Sequence, residues 1–301
     1  MIKRFFAAAM LMAALLNLSS CAEKPREDYS EIVTESTTVS APPEETSPEP
    51  KTPVYDFTEI IKAHESGDAS RLNEKDSVIY SSALEVANSI FNDEMSGEEK
   101  VVAAHDWLVY NITYDSAGLL PIPTVTPDAE NPYGVFTRGM GTCMGYTTTF
   151  QLLMILGGVE SQVVQGVAGE DSEEHAWNMV KLDGNWYHVD TTWDDFVPDY
   201  EGRMPFHIYT LVTDSFMEAE HVWDKSKTPE ADDDSKMYYK THGLFAETGE
   251  ENTAILEKAH EAGQTMAEIM TKDLSTITYE HVAEYWPNEF DDCVITIYWL
   301  I

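Results

Sequence analysis

A mixed chain, with helices first and antiparallel strands after them, is what the residue pattern predicts, and three observations carry it. Apolar residues recur at helical spacing through the stretch that ends at Gly157-Gly158. Beyond it, short runs rich in β-branched and aromatic residues follow one another closely. Between two of those runs, Asp183-Gly184 is a two-residue hairpin signal.

The first residues read as an address. Met1-Ile2-Lys3-Arg4 is cationic, and Phe5 to Leu16 is an apolar run too short to span a bilayer as a permanent helix. Leu18-Ser19-Ser20-Cys21 then resembles a bacterial lipobox, in which the Cys is acylated and becomes the new N-terminus. Residues 1–21 are therefore expected to be a lipoprotein signal peptide with Cys21 as the lipidated residue. The mature protein is expected on the extracellular face of the bacterial cell membrane. An ordinary cleaved signal with a chance Cys is the plainer alternative. Residues 22–53 hold Pro25, Pro42, Pro43, Pro48, Pro50 and Pro53 among Glu, Ser and Thr, with few large apolar side chains. Such a stretch buries too little surface to offset its ordering entropy, and reads as a disordered, extended tether.

The chain carries 54 Asp and Glu against 18 Lys and Arg, a formal net charge of −36. Nucleic acid is excluded as an expected partner, because phosphate binding needs clustered cations. Contact with an anionic membrane is expected only through the N-terminal lipid. A peptide or protein substrate, cell-wall peptides among them, and a monomeric state are expected. Of the cysteines, Cys143 and Cys293 remain once Cys21 is assigned, too few for a disulfide scaffold. The two could pair, but a free thiol in an extracellular chain points to a working one.

Residues 54–95 read as a helical segment. Ser96-Gly97-Glu98-Glu99 is a capping box, and Val101, Val102, His105, Leu108 and Val109 form the apolar stripe of the helix it opens. That helix should stop near Asn111, and residues 116–131, with three prolines, read as a surface loop. Gly139 and Gly141 lead into Thr142 and Cys143, after which Met144 to Leu156 is a buried helix closed by Gly157-Gly158. Strands are expected over 162–167, 175–182, 185–191 and 205–212. Asp232 to Asp234 reads as an acidic loop, 251–271 as a helix and 293–301 as a terminal strand. Residues 96–225 thus form the expected catalytic core and 226–301 an accessory helix-and-strand element.

Cys143 opens a helix, where free N–H groups and the dipole favour a thiolate, and its own N–H is a candidate oxyanion donor. A thiolate needs a His, and the His needs an orienting acceptor. If Asp183 and Gly184 are the hairpin loop, Leu182 pairs with Asn185, Trp177 faces Asp190 and His175 faces Thr192. Alternation then puts His175 and Asp190 on one face, a diagonal step apart. The parity admits His188 as well. Position favours His175, which opens its strand, whereas His188 sits deeper and reads as a packing residue.

Three blocks together resemble the transglutaminase-like (papain-like cysteine) superfamily, most closely its bacterial extracellular lipoprotein branch. They are Thr142-Cys143-Met144-Gly145-Tyr146, His175-Ala176-Trp177-Asn178, and Asn185 to Trp193. His105 to Val109, Ile112 to Asp115 and His221 to Asp224 are similar too, so the resemblance runs from about residue 98 to 225. It implies an α+β, papain/transglutaminase-like fold, with the Cys on the N-terminus of a buried helix packed against an antiparallel sheet bearing His and Asp. It implies acyl transfer through a thioester, with Cys143 as nucleophile, His175 as base and then acid, and Asp190 holding the imidazole. It also decides for His175 over His188. Tyr146, Trp177 and Trp193 are the candidate substrate-binding residues, against the plainer reading of the tryptophans as sheet-face packing. The stretch 133–142 holds neither the Gln nor the Trp that supplies a second oxyanion donor in the family, which leaves Tyr114 or Trp107 to substitute.

No metal or other cofactor is expected. There is no H-E-x-x-H and no Cys pair at zinc spacing, and Asp190, Asp194, Asp195 and Asp199 lack the EF-hand Gly and terminal Glu. No G-x-S-x-G supports a Ser triad. The expected function is a thiol enzyme acting on amide or peptide bonds, with hydrolysis favoured over cross-linking. The alternative is a surface module that uses the same cleft to bind peptide or cell-wall polymer.

Overall fold

The computed structural model describes residues 52–116, 126–169, 171–195, 205–273, 275, 282–287 and 293–300. The expected signal peptide with Cys21, the tether up to residue 51, residues 117–125 of the expected loop, and Asp199 lie outside them. Among the described residues no helix is long and apolar enough to cross a membrane.

Helix α1 (Thr58–Ser66) ends at Gly67 in the left-handed conformation, and α2 (Glu74–Ile90) is capped by Asn73, whose side chain accepts from the Asp76 N–H. Helix α3 (Gly97–Asn111) starts on the predicted capping box, with Ser96 and Glu99 each accepting from the other's backbone N–H. Strand β1 (Thr113–Tyr114) follows. Helix α4 (Pro132–Arg138) was not expected. Strand β2 (Met140–Gly141) pairs in parallel with β1, placing Tyr114 opposite Gly141, two residues before Cys143.

Helix α5 (Cys143–Gly157) is buried along most of its length and ends at left-handed Gly158. Phe150, Leu152, Leu153 and Met154 have no solvent exposure. Each such side chain contributes about 1.5–3 kcal/mol by leaving water. The helix is therefore held by its packing, with no side-chain bond from Thr142 at its start.

Strands β3 (Ser161–Ala168), β4 (Glu173–Leu182), β5 (Asn185–Val189), β6 (Thr210–Val212) and β7 (His221–Trp223) make an antiparallel sheet in the order β6-β5-β4-β3-β7, with helix α6 (Asp214–Met217) between the last two in sequence. The β4–β5 register is the predicted one, from Leu182↔Asn185 to Asn178↔Val189. Asp183 at φ 52° and Gly184 at φ 96° give the turn its hand. One face of the sheet carries Val180, Leu182, Tyr187 and Val189 into a core shared with α3 and α5. His175, Trp177, His188 and Trp223 cluster by their rings on the other. In β6, Leu211 at φ 60° is the extra residue of a bulge, since His188 pairs with Val212 and Val189 with Thr210.

The C-terminal element departs from expectation. Helix α7 (Tyr238–Thr241) and strand β8 (Phe245–Ala246) precede α8 (Gly249–Glu261), which stops well short of residue 271. Gly263, at φ 74°, turns the chain into strand β9 (Met266–Thr271). Every residue of β9 is buried, so its sequence shows no alternation from which a strand could be read. Strands β10 (Val282–Pro287) and β11 (Val294–Trp299) complete a second sheet, ordered β10-β11-β9-β8. Cys143 and Cys293 do not pair with each other in a disulfide.

Gly145 tests how tightly α5 is seated. A Cβ there would lie 2.3 Å from the Ala129 carbonyl oxygen, which also accepts the Thr142 N–H at 2.9 Å. Gly145→Ala is expected to cost about 1–3 kcal/mol, the usual range for overpacking. Urea denaturation would measure it, and a variant as stable as the parent would show that this contact is loose.

Candidate active site

Cys143 reaches the site as the first residue of α5, part-exposed, in the turn where helix N–H groups have no partner within the helix. Two bonds clasp this helix to the strand that carries His175. The Thr147 hydroxyl donates to the Ala176 carbonyl at 2.8 Å, and the Asn178 amide donates to the Thr147 carbonyl at 3.1 Å. They fall at Ala176, next to His175, and at Asn178, so helix and strand share a fixed register.

His175 Nε2 lies 2.6 Å from Asp190 Oδ2, and the Cys143 side chain stands near enough to the imidazole to favour its protonated form. With Nε2 committed to the carboxylate, Nδ1 is the nitrogen left for the sulfur. Burial works against a charge on this ring. The Asp190 charge and hydrogen bond, with the Cys143 contact added, outweigh it and hold His175 up at about 10. Asp190 has no solvent exposure. Burial pushes its carboxyl up, but His175 and His221 reverse this and keep it well below the usual carboxylate range. The resting pair is therefore an imidazolium and a carboxylate.

His221 is the functional residue that sequence reasoning left without a role. Its Nε2 stands 3.1 Å from the same Oδ2, while the Thr192 and Trp193 N–H groups donate to Oδ1 at 3.1 Å each. Burial holds the His221 imidazole below its ordinary value against the pull of Asp190, so it serves as a neutral donor. Its presence in the His221-Val222-Trp223-Asp224 block was the only available signal.

His188 takes the packing role. It is fully buried, accepts from the Trp177 indole at 2.9 Å and donates to Asp214 at 2.8 Å. Two of the three proposed substrate-binding residues need correction. Trp177 is 1% exposed, its ring packed between those of His188 and Trp223. Tyr146 has no exposure, and its hydroxyl donates to the Ile112 carbonyl or to Asp195, at 2.9 and 2.5 Å. Both are walls behind the site. Trp193 is part-exposed, with its ring 5.7 Å from that of His175.

The acidic residues considered for Ca²⁺ are used elsewhere, Asp190 by the two histidines, Asp194 by His105 and Thr210, and Asp195 by Tyr146. Of the two candidates for a second oxyanion donor, Trp107 packs its ring against Phe136. Tyr114 stands close enough to Cys143 to feel its charge. Burial, reinforced by Cys143, Glu173, Asp115 and Asp190, keeps its phenol protonated well above the usual tyrosine range.

Comparison with known proteins agrees with this architecture. The family model described as the transglutaminase-like superfamily matches residues 84–191, from α2 through the Cys, His and Asp. Kyphoscoliosis peptidase of Homo sapiens is 27% identical over 125 residues, covering 38% of this chain and 18% of that protein. Its Mus musculus counterpart is 26% identical over the same share of each chain. A solved structure described as a TGase covers 64% of this chain and 52% of its own at 18% identity, with a TM-score of 0.36. Residues 84–191 thus carry a transglutaminase-like core of helices on an antiparallel sheet, and the chain spans about a fifth of the curated relatives it matches.

The raised His175 has a consequence for stability. The unfolded ring loses its proton near 6.5 and the folded one only near about 10. Its stabilising contribution is full below 6.5, declines as pH rises between those values, and is gone above the folded value. Denaturation measured from pH 6 to 10.5 should show a decline that His175→Gln lacks. Parallel curves for the two proteins would contradict the imidazolium assignment.

Proposed function

We propose that this protein is a thiol enzyme that attacks amide or peptide carbonyls with Cys143 and passes through a thioester. One observation carries the reading: Cys143 opens a buried helix beside His175, near enough to favour its protonated form, and His175 Nε2 is bound to the buried Asp190. The transglutaminase-like match and the peptidase named among the relatives support it.

The Cys143 thiolate adds to the carbonyl carbon, and the oxyanion forms against the Cys143 N–H and the protonated Tyr114 hydroxyl. Collapse expels the amine, which takes the His175 proton. His175, now neutral, deprotonates a water that cleaves the thioester, releasing the acid and regenerating the pair. A Lys amine in place of that water would give cross-linking. Hydrolysis is the favoured outcome, because the part-exposed Cys143 and Trp193 leave the thioester open to water. The bacterial lipoprotein assignment belongs to the same reading, with Cys21 carrying the lipid and holding the enzyme outside the cell near peptide substrates, cell-wall peptides among them. Labelled palmitate should enter the wild-type chain in bacteria and not the Cys21→Ser variant. Equal labelling, or none in either, would remove the anchor from the account.

A thiol-reactive peptide probe separates enzyme from binding module. Labelling of Cys143 should be fast and should collapse in His175→Ala. A rate no faster than that of a free thiol, with peptide binding intact, would favour the module. With a Gln-donor peptide and a labelled amine, cleavage without amine incorporation is expected, and incorporation without cleavage would overturn hydrolysis. Tyr114→Phe should lower kcat on the order of 10²–10³-fold with KM little changed, as for loss of an oxyanion donor. An unchanged kcat would exclude Tyr114 from that role.

A further inference from the structure

A second cluster of histidines lies away from Cys143, between the core and the C-terminal element. His105, in α3, is fully buried, and His207 stands just before β6 with 3% exposure. Both turn a nitrogen toward one oxygen of Asp106. His105 Nδ1 and His207 Nε2 are each 2.9 Å from Asp106 Oδ1. The rings stand 4.8 Å apart, and the three candidate ligand atoms all lie within 4.8 Å of one another.

The far side of each ring is occupied in the way a metal-bound imidazole requires. A ligating His characteristically donates its other N–H to a carboxylate, which fixes the ring's orientation and strengthens it as a ligand. His105 Nε2 meets Asp194 Oδ2 at 3.0 Å, and His207 Nδ1 meets Glu268 Oε1 at 2.7 Å. Those carboxylates are buried and held in turn. Asp194 accepts from the Tyr209 N–H at 3.0 Å and the Thr210 hydroxyl at 2.9 Å. Glu268 accepts from the His207 N–H at 3.1 Å and the Tyr239 hydroxyl at 2.9 Å. Asp106 is one-third exposed, which gives an ion a way in and leaves a coordination position for water.

Charge agrees with the geometry. Asp106, Asp194 and Glu268 set three carboxyl groups around two imidazoles. A divalent cation at this point would face carboxyl groups on every side. The donor set of two imidazoles and one carboxylate suits Zn²⁺, whereas Ca²⁺ and Mg²⁺ take oxygen ligands. Tetrahedral ligands at the usual Zn²⁺ distances stand roughly 3.3 Å apart, against 2.9 Å from each ring nitrogen to Asp106 Oδ1.

We propose that His105, Asp106 and His207 bind one Zn²⁺-class ion, with Asp194 and Glu268 orienting the two imidazoles. The ion ties α3 to the segment entering β6 and, through Glu268 on β9, to the C-terminal sheet. It stands apart from the thiol chemistry and does not depend on that reading. The ligands come from positions 105, 106 and 207, a spacing that no short motif describes.

Co²⁺ titration of the EDTA-treated full chain, carrying Cys143→Ser so that the thiol cannot compete, tests it by absorption spectroscopy. One Co²⁺ per chain should bind with the visible bands of a tetrahedral nitrogen–oxygen site and without a thiolate charge-transfer band. Zn²⁺ should displace it and raise the melting temperature. Asp106→Asn, nearly isosteric and part-exposed, should weaken Co²⁺ binding at least roughly tenfold, while the metal-free variant still unfolds in one cooperative transition. His207→Gln should do the same to binding. Absence of saturable binding, or binding that Asp106→Asn and His207→Gln leave unchanged, would overturn the site.

Discussion

Asp190 has no contact with solvent, yet it carries a charge on which β4, β7 and the segment after β5 converge. Two imidazoles meet one of its oxygens and two backbone N–H groups meet the other. An isolated carboxylate in such a place would be prohibitively costly. It persists because those donors replace the lost water, and its negative charge in turn makes an imidazolium of His175. Removing the carboxylate would leave two buried imidazoles without their shared acceptor, which costs more than the pair contributes when intact.

The short segment that follows shows how much structure is spent on holding that carboxylate still. Asp190 is anchored to β4 and β7 through His175 and His221. Four residues on, Asp194 is anchored to α3 through His105 and to the entry of β6 through the Tyr209 N–H. Asp195 accepts from Tyr146 on the helix that begins with Cys143. The helix that Cys143 opens, the strand that carries His175 and the Asp190 carboxylate are thus tied to one another by buried polar bonds as well as by the apolar core. The Leu211 bulge belongs to the same device, because it follows Thr210, whose hydroxyl holds Asp194.

Where local chemistry decided the structure, the sequence was readable. Asp183-Gly184 tolerates the positive φ values its turn needs, so register and face parity could be counted outward from it. Ser96 and Glu99 announced α3 because a capping box is a local, reciprocal bond. Helix α4 carried comparable signals, Asn131 and Pro132 at its start and left-handed Gly139 at its end, which the neighbouring proline-rich stretch obscured. Strand β9 was hidden by burial on both faces. Tyr146 and Trp177 lie within the blocks that mark the site, and only tertiary packing shows that they stand behind it. The grouping of His105, Asp106 and His207 depends on the packing of α3 against residues a hundred positions away, and no local pattern encodes it.

The central claim is that a substrate acyl group passes through Cys143. Exposing the protein to a cell-surface extract, quenching in acid and reading the mass of the Cys143 peptide tests it most directly. The account predicts an added acyl mass on that peptide, released by hydroxylamine and absent from Cys143→Ser. Unmodified Cys143 in the folded protein, with extract peptides bound but not transferred, would contradict it.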